Sequence, residues 1–450
     1  MFEKIFKLKE NKTTVTKELV AALTTFMSMA YVIFVIPQML SNTGMSYSAV
    51  YGATIIASAI GTLLVGLLGN VPYAQSAGIG LASLVTWTIC GKMGYTWEQA
   101  LTMIFICGII NVLITVTSIR KKIIKAIPVF IQDAITVGIG LFISYIGLIN
   151  SGLITFSANS LNDGIAEGVI PSIPSFNNNA VILSLIGIII LILLVVKKVK
   201  GAYLIGIILT TLIGIPLGVT TLPDFTNYEI LPSISSTFFK LDFAGLFSSS
   251  NGILVILISI FTLCISDLFD TIGVFIGTGK KSGIFKLDKE GNMPKKLERA
   301  LFADSIGTVV GSLLGTSNIT TYVESSAGIE EGGRTGLTSL FVSILFLLTL
   351  LLSPLIKCVP LNAISPVLVI IGVSMITNVK SIDFEDPLIG IPAFFVIIMM
   401  PLSYSIVTGI EFGFITYMLV NIISGNAKKV SPVIYICSIL FLIKYIFSTV

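Results

Sequence analysis

The sequence predicts an all-α, polytopic membrane protein with fourteen spans in a 7+7 inverted repeat, and short β-strands interrupting spans 3 and 10. Three observations carry that expectation. The 450-residue chain is 54% hydrophobic and 11% charged, with a mean hydropathy of +1.00, whereas a soluble domain carries about a quarter charged residues. The chain also repeats itself: residues 57–69 read ASAIGTLLVGLLG and residues 303–315 read ADSIGTVVGSLLG. Ala57, Ile60, Gly61, Thr62, Leu67, Leu68 and Gly69 recur at one offset, and Pro128 to Gly140 is echoed by Pro360 to Gly372. Such internal repetition outranks local readings. Finally, residues 316–336, TSNITTYVESSAGIEEGGRTG, form a polar, glycine-rich stretch inside an otherwise apolar half. Broken backbone is tolerated in a membrane only where protein or a polar cavity surrounds it. Paired broken segments point to a transporter's binding site.

Taken in order, the first 18 residues are charged and amphipathic, lack the pattern of a secretory signal, and read as a cytoplasmic tail. A span needs about 20 apolar residues. The first repeat, 19–220, offers 19–40, 48–69, 74–92, 98–118, 124–150, 180–196 and 202–219. The second, 251–424, offers 251–276, 297–315, 318–334, 336–357, 361–378, 387–402 and 405–424. An extra apolar helix is expected over 432–448, either spanning or interfacial. Lysine and arginine in short loops set orientation. The N-terminal tail and residues 120–125, 197–200, 280–299 and 428–429 belong to the cytoplasm. The connections 151–179 and 220–250, with Asp163, Glu167, Asp224, Glu229 and Asp242, belong outside, and Lys357 is a mild exception there. An odd number of spans per repeat then inverts the second half relative to the first.

Composition excludes several function classes. The chain has no histidine, which removes imidazole proton relays, histidine-ligated zinc and Ser-His-Asp hydrolysis. Its five cysteines show no CxxC spacing and read as packing residues. No metal and no cofactor is expected. The net charge of +4 comes from lysines in short loops, so it points to the lipid bilayer rather than to nucleic acid.

Ionisable groups at bilayer depth are functional candidates by default. Here they are Asp133, Asp267, Asp270, Asp304, Glu324, Glu330, Glu331 and Glu411. Asp267 and Asp270 in CISDLFDTIG share a helix face at spacing i,i+3 and form a coupled pair. Glu324 falls where an extended segment meets a helix start, with Thr321 and Ser325 beside it. YAQSAGIG from Tyr73 aligns with YVESSAGIE from Tyr322, which puts Gln75 where the second copy has Glu324. Asp133, Asp304 and Glu411 read as structural hydrogen-bonding groups. Glu330 and Glu331, with Arg334, read as the cytoplasmic end of the broken segment.

The motifs TTFMSMAYVIFVIPQML, GIGL, DLFDTIG, TSNITTYVESSAGI and EGGRTGLTSL together resemble the xanthine/uracil permease family, in its adenine, guanine and hypoxanthine branch, from Thr13 to about Lys444. The resemblance implies a core domain of spans 1–4 and 8–11, a gate domain of spans 5–7 and 12–14, proton-coupled uptake of a purine nucleobase, and homodimers. It implies Asp267, Asp270 and Glu324 as substrate-site acids and Gly80 as the third-span motif glycine. Departures from the branch bear on which base is taken. Ala82 in SAGIGLASL stands where the branch has Asn, Gln75 stands where the branch tends to have an apolar residue and is expected to supply the lost amide from nearby, and near Pro37 the usual Asn is Ile36. The substrate set expected is therefore Glu324, Asp267, Gln75, Gly80, Thr321 and Ser325, with Asp270 and Asp267 in proton coupling; sodium is the less favoured ion. Two other classes compete: an intramembrane enzyme of the aspartate-rich prenyl-transfer type, because of DLFD, and a channel. The first lacks a second acid-rich motif and basic groups for diphosphate at membrane depth. The second would want a continuous ring of similar groups.

Overall fold

The structure, a computed structural model, describes residues 2–117, 127–158, 161–162, 165–166, 169–221, 232–249, 252–282, 284–285, 294–352, 355 and 358–447. Several charges that set the expected orientation lie outside the described residues: Arg120, Lys121, Lys122, Lys125, Asp163, Glu167, Asp224, Glu229, Lys357, and residues 283 and 286–293 of the 280–299 stretch.

The first half runs α1 (Phe2–Phe6), α2 (Val15–Met29), α3 (Val32–Ser41), α4 (Tyr47–Leu64), β1 (Gln75–Ala77), α5 (Ile79–Ser83), α6 (Trp97–Val116) and α7 (Val129–Asn150). α5 continues as a π-helix to Lys92. After β2–β5, which lie within 155–172, come α8 (Asn179–Val196), α9 (Ala202–Gly214) and α10 (Phe243–Phe247). The second half has α11 (Gly252–Ser282), α12 (Lys295–Leu314), β6 (Ile319–Thr321), α13 (Ser325–Glu330), α14 (Gly336–Thr349), α15 (Leu361–Ile376), α16 (Pro387–Leu402), α17 (Ile406–Ile423) and α18 (Pro432–Phe447). Among the described residues, eight helical runs are long and apolar enough to cross a membrane. The chain is thus a multi-pass membrane protein. Each stretch expected as a span carries helix, and two of them begin with a strand.

Two features depart from the expected all-α layout. Thr155–Ala158 pairs antiparallel with Val169–Ser172, and Leu161–Asn162 with Ile165–Ala166. The sequence Asn162-Asp163-Gly164 is a strong hairpin signal that a reading by apolar runs passes over. The tail boundary also moves. Thr14 caps α2, its hydroxyl accepting from Lys17 N, so helix begins inside the stretch read as tail.

Glu18 in that first turn is fully buried. Its carboxylate accepts from the backbone N–H of Arg334 (3.0 Å), Thr335 (3.4 Å) and Thr338 (3.1 Å), and from the Thr338 hydroxyl (2.5 Å). A carboxylate is favoured at a helix N-terminus by the orphan amides and the dipole, and here it nails α2 to the start of α14. Glu18→Ala is expected to cost about 2–3 kcal/mol, because charged hydrogen bonds are lost and amides are left buried. A clear drop in the detergent melting temperature, with Glu18→Gln retaining most of it, is the outcome to look for.

The helices pack in two groups. α2 to α6 associate with α11 to α14, whereas α7, α8 and α9 associate with α15, α16 and α17, and α18 lies on α17. Tyr445 of α18 donates its hydroxyl to the buried Glu411 carboxylate, so Glu411 serves helix packing.

Candidate functional site

The two broken segments meet as an antiparallel pair, Gln75 opposite Thr321, Ser76 opposite Thr320 and Ala77 opposite Ile319. The repeated Ile-Gly-Thr motif builds this crossing from both sides. A Cβ on Gly61 would come within 2.8 Å of Ile319 Cγ2, too close to fit without a shift, and one on Gly307 would come within a tight 3.2 Å, so the glycines let α4 and α12 lie close on the strands. The next residue in each copy holds a strand. Thr62 donates its hydroxyl to the Gln75 carbonyl (3.0 Å), and Thr308 donates to the Ile319 carbonyl (3.1 Å). The first residue of one strand thus has the first residue of the other as its counterpart.

That geometry corrects the alignment of Gln75 with Glu324. Gln75 opens its strand, as Ile319 does, whereas Glu324 follows its strand as the N-cap of α13, the position Gly78 holds before α5. The shared run of Ser, Ala and Gly had matched chemically similar but structurally shifted residues. Gln75 is fully buried, and its amide donates to Asp304 Oδ1 (2.7 Å) and Thr321 Oγ1 (3.0 Å). Thr271 also donates to Asp304 Oδ1 (2.8 Å). Gln75, Thr321 and Asp304 are therefore a buried brace behind the strands.

Strand alternation sends the intervening residue to the other face. Thr320 lies within hydrogen-bonding reach of Asp270. Asp270 is exposed, Glu324 is half-buried, and Val323 between strand and helix is 54% exposed. The two carboxylates are close enough to act on each other electrostatically. Tyr31, buried in the break between α2 and α3, donates its hydroxyl to Glu324 Oε1 at 2.5 Å. Its ring meets Tyr203 of α9 edge-on, with centroids 5.1 Å apart. Gly80, half-buried, would bring a Cβ to 2.9 Å from Ile139 of α7. Glu324 and Gly80 thus lie at the seam between the two helix groups, through Tyr31 to Tyr203 and against Ile139, and Asp270 and Thr320 lie beside Glu324.

Asp267 is placed apart from them. It is buried, and Asn111 of α6 donates to its Oδ2 at 2.6 Å. The i,i+3 pair therefore splits, one acid buried against α6 and the other exposed beside Glu324. Ser325 is also buried, its hydroxyl accepting from Ala74 N (3.0 Å), which ties one broken segment to the other. Sequence reasoning missed Tyr31, Asn111 and Thr320, which carry no charge. A lone amide or phenol in an apolar span is still a signal, because its polar end needs a buried partner.

Residues 16–443 match the xanthine/uracil permease model, described as a permease family. The chain is 36% identical to the adenine permease AdeP of Escherichia coli strain K12 over 447 residues, covering 99% of this chain and 96% of that one. It is 36% identical to the guanine/hypoxanthine permease PbuG of Bacillus subtilis strain 168 over 453 residues, covering 98% and 99%. Among solved structures, the transmembrane domain of the cyanobacterial bicarbonate transporter BicA superposes with a TM-score of 0.62 at 15% identity, over 88% of this chain and 96% of that one. The last likeness is one of fold. Membership of a permease family removes the prenyl-transfer reading of the DLFD motif, and the chain belongs to the xanthine/uracil permease family.

Proposed function

We propose that the chain is a secondary active transporter that imports a purine nucleobase of the adenine, guanine or hypoxanthine type by proton symport. The observation that carries the reading is a pair of carboxylates, Glu324 and Asp270, close together beside crossed strands that are otherwise buried. A planar base presents N–H donors along one edge, and a carboxylate can accept two of them side by side. The names of the relatives that match over the whole chain point to the same class of substrate. In this reading Glu324, oriented by Tyr31, grips the base, Asp270 carries the proton, and Asp267 positions α11 through Asn111. The brace of Gln75, Thr321 and Asp304 keeps the strands in place. Gly80 leaves room for the base against α7.

The same proposal includes fourteen spans in two inverted sets of seven. The set built on α2–α6 and α11–α14 is the core, and the other is the gate. The N-terminus is cytoplasmic, and the protein assembles as a homodimer. The equivalent roles of Thr62 and Thr308 support the inverted repeat.

The test is uptake into proteoliposomes. Labelled adenine, guanine and hypoxanthine are offered with and without an inward proton gradient. One of them accumulating above its bath concentration only when the gradient is imposed is the expected result. Equilibration without accumulation would reject symport, and an equal response to a sodium gradient would name the other ion.

A further inference from the structure

The seam between the two helix groups is fastened at both ends, and the two fastenings are built alike. At one end Lys200, in the α8–α9 connection, pairs with Glu331, the residue that closes the helical segment after β6. Beside it Gly201, at φ 73°, brings its backbone against α2, where a Cβ would lie 3.2 Å from Met27 Cβ. Tyr203 then meets Tyr31, the partner of Glu324. At the other end Lys92, last residue of the helical segment after β1, donates to the Ser403 carbonyl in the α16–α17 connection at 2.9 Å. There Tyr404 meets Trp87 edge-on, with centroids 6.0 Å apart.

The two connections share one backbone conformation. Lys198 and Tyr404, each second beyond its helix, adopt φ 53° and 54°, the left-handed region that non-glycine residues seldom enter. The hydrogen bonds match in sequence. Lys197, Lys198 and Val199 donate to the carbonyls of Leu193, Val195 and Leu194, while Ser403, Tyr404 and Ser405 donate to those of Met399, Pro401 and Met400. Because β1 and β6 run antiparallel, the helical segments that follow them lead to opposite ends of the seam. Lys92 and Glu331 therefore sit at opposite faces.

We propose that these contacts are two latches of one gate: Lys200–Glu331 closes the seam toward one membrane face and Lys92–Ser403 toward the other. With both made, as here, the two helix groups are held together at both ends of the seam, and the seam widens toward whichever face has its latch released. The inference rests on the transport reading, but not on which substrate is carried. An exposed ion pair is weak, and a latch that must reopen in every cycle needs to be.

The test uses the full chain in oriented vesicles, with Val323→Cys as a reporter beside Glu324 and a membrane-impermeant maleimide as the probe. The protein retaining Val323 gives the background from its own cysteines. Lys200→Gln is expected to raise labelling about two- to fivefold from the face bearing Lys200 and not from the other. Lys92→Gln is expected to do the reverse. The exchange Lys200→Glu with Glu331→Lys should return labelling to the starting rate, which a merely structural role would not produce. Equal labelling from both faces, no change, or an increase from the wrong face would overturn the latches. None of these outcomes requires a substrate, so failure of the purine reading in uptake assays remains separable.

Discussion

Glu324→Gln is expected to weaken base binding by about 2–5 kcal/mol, a factor of roughly 30 to several thousand. The substitution keeps the shape of the side chain. It removes the charge and replaces one acceptor with a donor, which would oppose an N–H of the base. The position of Glu324 makes the effect specific to the site: the side chain is half-buried at the N-cap of α13, it makes no capping hydrogen bond there, and Tyr31 is its donor. The first turn of α13 is therefore not held by a side-chain cap from this carboxylate. Tyr31→Phe provides the graded control. Losing one hydrogen bond to an ionised group should cost about 1.5–3 kcal/mol, less than losing the carboxylate itself. Binding measured by scintillation proximity on detergent-purified protein separates the two. A Glu324→Gln protein that is folded by melting temperature and binds within threefold of the parent would end the assignment.

How much of this was legible in the sequence varies by residue type. Charges in apolar surroundings stand out in a sequence, so Glu324 and Asp270, which lie close to each other in the structure, were both among the acids singled out at span depth. The crossing was also legible, because the Ile-Gly-Thr repeat records a close approach and a hydroxyl needed twice. Strand parity was not. Without the register of β1 on β6, nothing in ITTY distinguishes Thr320, which faces Asp270, from Thr321, which turns back to the brace with Gln75. The match of SAGIG to SAGIE misled for a related reason: small residues recur wherever backbone is crowded, whatever their position in the motif. Glu18 was hidden by its neighbours, since lysines around it read as solvated tail, and its partners lie more than 300 residues away. The split between Asp267 and Asp270 depends on a single amide, Asn111, on another helix. No spacing rule within the helix could supply it.

Asp270→Asn is expected to uncouple transport. One proton moved with each base lets a gradient of one pH unit support about tenfold accumulation, since one unit is worth 1.36 kcal/mol. Asp270 is the acid suited to that role, because it is exposed whereas Asp267 is buried against Asn111. It also lies close enough to Glu324 for the two charges to repel. A proton on Asp270 would relieve that repulsion, which is how a proton bound there would bias a base held at Glu324. Asparagine fixes the neutral form permanently. Exchange of labelled for unlabelled base across the vesicle membrane should then continue at a rate near that of the parent, while accumulation under the imposed gradient falls to its equilibrium level. Asp267→Asn gives the contrast: its amide would face the Asn111 amide, so its effect should fall on melting temperature first. If the Asp270→Asn protein still concentrates the base tenfold against a one-unit gradient, the proton travels elsewhere and Asp270 belongs to the binding surface alone.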